Sequence, residues 1–221
     1  MKETIYRIIR ERIMYLEYKP GQILNEKVLA DEFGVSRSPI KDLLSRLEWE
    51  QLVRVIPRTG SMVSEIEFSR IMNVYQVRFE IESFEASLAE GQFASKHVTK
   101  LKELYEKCKS LLERDDPKAL AAIDTTLRSL IHDASGNQVL ADVSERLYSQ
   151  TFRLWYSVLL KSDWREEVTA CIKELERLLE YFSSGNLNEF GTIRRTQLIK
   201  HFERLRHKFL GTVNSPIQPN N

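Results

Sequence analysis

Arg37, Ser38, Lys41 and Ser45 fall at i, i+1, i+4 and i+8 spacing, on the side of a short periodic segment opposite Ile40, Leu43, Leu44 and Leu47. No acid stands between Val35 and Lys41. This is the chemistry of anion recognition. A guanidinium at Arg37 can read a guanine edge, Lys41 can take a base or a phosphate, and Ser36 with its neighbours at a helix N-terminus can seat a phosphate oxygen. Further along, Arg58, Thr59 and Gly60 join a cation, a hydroxyl and a residue that permits close backbone approach, suited to the DNA backbone or minor groove. Lys27 is a candidate phosphate anchor. The bland alternative, cations solvating a helix face, is preferred for Arg46, which neighbours the acids Asp42 and Glu50. For Arg37 and Lys41 it requires helix, cap, turn and hairpin to coincide by accident, so DNA contact is the favoured reading.

The elements that must carry these residues follow from periodicity and punctuation. Ile5, Ile8, Ile9, Ile13 and Leu16 mark one face of a first helix, which Lys19-Pro20-Gly21 stops. Asn25 caps a second helix that turns Val28, Leu29 and Phe33 inward, and Gly34 ends it in the left-handed conformation. Ser36 or Ser38 caps a third, where Pro39 is harmless in the first turn. Leu52 to Ile56 and Ser61 to Ser64 read as two strands around a turn with Gly60. Three helices and a hairpin make a winged helix-turn-helix over residues 1–66, whose third helix is the one that enters a major groove.

From Phe68 the period is 3.6 almost throughout. Six helices are predicted, at about Ser69 to Ala94, His97 to Arg114, Pro117 to Ala134, Gln138 to Leu160, Trp164 to Ser184 and Leu187 to Leu210. Their breakers are Asp115-Asp116-Pro117, Ser135-Gly136-Asn137, Lys161-Ser162-Asp163 and Ser183-Ser184-Gly185-Asn186. The fold class is therefore mainly α, a winged helix followed by an all-α six-helix bundle over 67–211, with 212–221 a flexible tail.

Composition narrows the function classes. The chain has 221 residues, 42% hydrophobic and 29% charged, with a formal net charge of +1, so affinity for nucleic acid must come from a local patch. Cys108 and Cys171 lack metal or redox-motif spacing, no apolar run reaches the length of a membrane span, and the N-terminus is too charged for a signal peptide, which places the protein in the cytoplasm. GxxxxGK[ST], GxGxxG, GxSxG and HExxH are all missing, and the four histidines show no triad spacing, which argues against an enzyme. No cofactor is expected.

The run Pro20-Gly21-Gln22-Ile23-Leu24-Asn25-Glu26, then Leu29-Ala30, Phe33 to Lys41, Arg46-Leu47-Glu48, Leu52-Val53 and Arg58-Thr59-Gly60, resembles the GntR family of bacterial transcription regulators. The resemblance implies a homodimer on a short palindromic operator in double-stranded DNA, with contacts at Lys27, Arg37, Ser38, Lys41 and the wing tip. Lys41 stands where arginine is more usual, a change from a forked to a point-charge donor. Val77 to Glu82, Ser135-Gly136-Asn137 and Gly185-Asn186 resemble the FadR C-terminal (FCD) type of that family in its six-helix, VanR-like version.

Many members of that type hold a metal on one aspartate and three histidines. Counting from Gly136-Asn137 and Gly185, Asp124 keeps the aspartate position, while Arg128, Leu175 and Gln197 occupy the histidine positions. A cation beside Asp124 would meet a guanidinium, an aliphatic chain and an amide, so no metal is expected there. A shifted site on Asp124, His132 and His201 is the minority alternative. The sharper expectation is that Arg128 grips a carboxylate of a small organic-acid effector directly, with Arg78 a second clamp and Gln197 a neutral hydrogen-bond partner. Set against this are i,i+4 pairing of Arg128 with Asp124 and of Arg78 with Glu82. His97 and His207 read as surface residues, and Phe152, Trp155 and Tyr156 as core. The first bundle helix, from Ile71 through Phe84 and Leu88, is apolar enough for a dimer contact. The whole reads as an effector-responsive regulator, and the resemblance implies repression as its commoner mode. A DNA-bound dimer whose bundle has lost effector and metal binding is the alternative.

Overall fold

The computed structural model describes residues 1–57, 59–184 and 188–213. Two compact units emerge: Met1–Val74 with Glu145–Leu154, and Tyr75–Ser144 with the chain from Trp155 onward.

In the first unit, α1 (Lys2–Met14) buries Ile5, Tyr6, Ile9, Ile13 and Met14. Asn25 caps α2 (Glu26–Phe33), its Oδ1 accepting from the amides of Lys27 at 2.9 Å and Val28 at 3.2 Å. Gly34 ends that helix at φ 64°, a left-handed conformation that costs glycine little. α3 (Arg37–Trp49) follows, with Ile40, Leu43, Leu44 and Leu47 buried as its spacing requires. Val28 departs from the reading: it is 62% exposed, because the inward stripe of so short a helix runs through Leu29 and Ala30.

The sheet has three antiparallel strands in the order β1-β3-β2. β2 (Val53–Ile56) and β3 (Gly60–Val63) form the expected hairpin, with Val53 opposite Val63 and Ile56 opposite Gly60. β1 (Ile23–Leu24) was not foreseen. Two residues give no alternating pattern to read, and the strand exists because its partner Met62–Ser61 is there to pair with it.

The segment Glu145–Leu154 of α7 (Gln138–Leu159) belongs to this unit. Arg10 donates to Glu50 at 3.1 Å and Glu145 at 2.8 Å and also bonds Ser149, while Tyr15 and Phe152 meet edge to face at 5.4 Å. Glu50 is buried and accepts from Tyr6 as well, so one carboxylate ties the end of α3 to α1.

The second unit holds α4 from Tyr75 (the helix is Phe68–Ala89), α5 (Ser95–Ser110), α6 (Pro117–Ser135), both ends of α7 (Gln138–Leu159), α8 (Trp164–Ser184) and α9 (Phe190–Val213). The expected breakers act as caps. Asp116 Oδ1 accepts from Ala119 at 2.9 Å with Pro117 in the first turn, Asn137 Oδ1 accepts from Leu140 at 3.1 Å, and Asp163 Oδ1 from Glu166 at 2.8 Å. α4 stops at Ala89 and gives way to a 3-10 turn at Glu90–Gln92, and α9 continues past Leu210 to Val213. Gly185, Asn186 and residues 214–221, including most of the expected tail, lie outside the described residues.

His97 is buried rather than on the surface. Its Nδ1 accepts from the Ala94 amide at 2.9 Å, its Nε2 lies 2.8 Å from Asp133 Oδ2, and its ring packs on Phe93. The ring serves as a cap for α5, a role that periodicity alone does not reveal.

Candidate functional site

The exposed face of α3 is set by its buried one. Four apolar side chains, each contributing on the order of 2 kcal/mol by leaving water, fix the rotation of the helix about its axis. Arg37, Ser38, Lys41 and Ser45 are consequently exposed, as is Ser36 at the N-cap, whose hydroxyl makes no cap hydrogen bond. The side chains of Lys27, Arg37 and Lys41 form no ion pair or hydrogen bond among the described residues, and the first turn of α3 has no acid. The nearby charges are committed elsewhere: Asp42 lies 3.5 Å from Lys2, and Arg46 pairs with Glu3 at 2.8 Å and stacks over Tyr6 at 3.6 Å. Arg46 is thus the paired residue it was read to be, although Glu3 is its shorter ion-pair partner at 2.8 Å against 3.7 Å for Glu50. Thr59 is exposed and Gly60 opens β3; Arg58 lies outside the described residues.

In the helical unit the centre is Glu82. Its buried carboxylate takes Arg78 at 2.7 Å, Arg128 at 2.8 Å and Arg194 at 2.9 Å, and Arg128 also donates to Ser144 Oγ at 3.0 Å. Burial alone would raise the Glu82 carboxyl, but Arg128, Arg78 and Arg194 hold it well below the ordinary range. Arg78 and Arg128, both expected ligand residues, are therefore brought together, with Glu82 between them. Asp124 is half-buried one turn before Arg128.

Gln197 is buried beneath a cleft between α8 and α9. Its Nε2 donates to the Glu174 carbonyl at 3.0 Å, while its Oε1 has no hydrogen-bond partner among the described residues. His132 Nε2 lies 3.4 Å from Glu85 Oε2, whereas His201 packs near Tyr75 and Trp155 at ring separations of 6.4 and 6.1 Å. Among the described residues no three His, Cys, Asp or Glu side chains are grouped to hold a metal ion. Sequence reasoning missed Arg194 and Ser144. Arg194 had a signal, one turn before Gln197 on the same helix; Ser144 had none.

A helix-turn-helix with a wing in one unit and a helical bundle in the other match two family models of DNA-binding transcription regulators, which set the class of the protein apart from enzymes. Residues 1–63 match the model of the bacterial regulatory proteins of the gntR family, and residues 73–196 match the FCD domain. The chain belongs to the GntR family, in its FCD-bearing branch.

The HTH-type transcriptional repressor RspR of Escherichia coli is 26% identical over 71% of this chain and 68% of its own length. The gluconate operon transcriptional repressor of Bacillus licheniformis is 32% identical over 56% and 53%. The solved structure of E. coli McbR/YncC superposes with a TM-score of 0.82 at 20% identity, covering 96% of this chain and 98% of that one, which establishes the shared fold. Among the described residues no helix is long and apolar enough to cross a membrane.

Proposed function

We propose that this protein is a homodimeric repressor that binds a palindromic operator through Lys27, Ser36, Arg37, Ser38, Lys41 and the wing tip, and that a small carboxylate-bearing effector in the bundle modulates this binding. The observation that carries the DNA reading is the exposed, acid-free start of α3, with Arg37 and Lys41 left without side-chain partners among the described residues. Arg37→Ala is expected to cost about 1–3 kcal/mol on the operator and to relax base discrimination. Lys27→Ala is expected to lower the slope of log affinity against log salt by about 1. Fluorescence anisotropy on a genomic operator fragment over a salt series measures both, and unchanged binding in both variants would refute this docking. Repression is supported by the names of RspR and the gluconate operon repressor. Dimerisation is supported by an outward apolar stripe on α4, in which Val77, Phe84 (56% exposed) and Leu88 align with Ile81 at helical spacing.

For the effector, the support is that Arg78, Arg128 and Arg194 converge on one carboxylate, and that the Gln197 Oε1 on the same helix as Arg194 has no hydrogen-bond partner among the described residues. The same geometry favours a second reading. Glu82 already fills the guanidinium forks, as it would in a bundle that has lost effector binding and only dimerises. Calorimetric titration with two- to six-carbon mono- and dicarboxylic acids separates the two. Saturable binding that Arg128→Ala or Gln197→Ala weakens at least tenfold supports sensing, and no binding to any of the acids supports the second reading.

A further inference from the structure

Four arginines are buried among the described residues: Arg78, Arg128, Arg153 and Arg194, at 4, 2, 3 and 4% exposure. Three of them share Glu82. Arg153 is the exception. Its Nη1 donates to the Ser64 carbonyl at 2.6 Å, its Nε has no hydrogen-bond partner, and no carboxylate lies within ion-pair distance of it among the described residues. Burial pushes its guanidinium down to about 10, with Glu65 opposing, so it is still a cation at neutral pH. A buried charge with one neutral partner is costly, and folded chains ordinarily pair such groups or use them.

Arg153 lines a cleft of about 450 Å³ within the first unit, formed by β2, β3, the segment after β3, the start of α4 and the α7 segment. Val53, Met62, Ile71 and Val74 give it an apolar wall. At its edge, Arg70 bridges Gln51 at 3.2 Å and Gln150 at 3.1 Å. Three cations, Arg54, Arg70 and Arg153, are balanced by three acids, Glu48, Glu65 and Glu67. A polyanion would meet those carboxylates, whereas a single carboxylate can lie along the Nε edge of Arg153 with a short hydrocarbon body against the apolar wall.

We propose that this cleft is a second ligand site, separate from the bundle, that takes a small apolar monocarboxylate on Arg153. The bound acid would tie the carbonyl side of the wing, at Ser64, to α7. Because α7 runs unbroken from Gln138 to Leu159 through residues of both units, the site gives the chain a handle on its DNA-binding element that does not pass through Glu82.

Benzoate is the probe, with benzamide as its uncharged counterpart. Calorimetry should show saturable benzoate binding with a Kd on the order of 1 mM, as suits so small a ligand, and at least tenfold weaker benzamide binding. Hydrogen exchange with benzoate present should slow in peptides spanning 62–71 and 148–154. Arg153→Gln should weaken benzoate at least tenfold. Should Arg153→Gln fail to fold by circular dichroism, the location of exchange protection in the wild-type chain decides. No saturable benzoate binding, equal affinity for benzamide, undiminished binding to folded Arg153→Gln, or protection confined to the bundle helices would each overturn the proposal.

Discussion

Glu82 is the residue on which the bundle's electrostatics turn. Removing one member of a buried ion pair is costly, and here one carboxylate serves three arginines. Glu82→Gln keeps the volume and deletes the charge, and it is expected to destabilise the helical unit by about 3–5 kcal/mol in urea denaturation followed by circular dichroism. A loss below 1 kcal/mol, within the range of an exposed pair, would show that the arginines find other partners. Half of this cluster was legible in advance. Arg78 and Glu82 stand one helical turn apart, so their pairing follows from spacing alone. Arg194, 112 residues further along the chain, has no local relation to Glu82, and only the packing of α9 on α4 joins them.

That packing is unusually close at one point. A Cβ at Gly191 would clash with Ser87 Oγ and lie 2.7 Å from the Ser83 carbonyl oxygen of α4. The hydroxyl can rotate away, but the carbonyl belongs to the helix backbone and cannot. Ser83 Oγ donates to the Gly191 carbonyl at 3.0 Å, which holds the two helices in this approach. Gly191→Ala should therefore destabilise by about 1–3 kcal/mol despite the better helix propensity of alanine, seen as a lower urea midpoint with an unchanged slope. A stabilised variant would mean that α9 can slide. Elements were otherwise the most readable level. Asn25, Gly34, Asp116-Pro117 and Gly136-Asn137 all act where their side-chain chemistry says a helix begins or ends. Departures include the two-residue β1 and the inward assignment of Val28, both too short for a period to register, and the end of α4, which stops at Ala89 rather than Ala94.

Across the whole molecule, pH should tune stability through His201. Burial, reinforced by the positive charges of Arg204, Arg78 and Arg194, pushes its imidazole down to about 3, against an ordinary 6.5. A folded-state value below the unfolded one means that the unfolded chain takes up the proton first. Stability is then full above pH 6.5 and falls as pH drops toward 3, with a slope of up to about 1.4 kcal/mol per pH unit from this one group. Glu82, also depressed, adds its own loss only below its ordinary 4.5. Urea midpoints at pH 7.5, 6 and 5 should decline for the native chain and flatten for His201→Gln; parallel declines in both would assign the effect to other groups.

The sequence by itself determined what is local: the amphipathic periods, the caps, the hairpin, the cationic face of α3 and the family those residues resemble, because each depends on neighbours within a few positions. Tertiary structure alone decided which distant charges meet. It set Glu82 among three arginines, left Arg153 with no carboxylate within ion-pair distance among the described residues and turned His97 inward, since whether a buried charge is paired depends on side chains that only the packing of helices brings within a few ångströms.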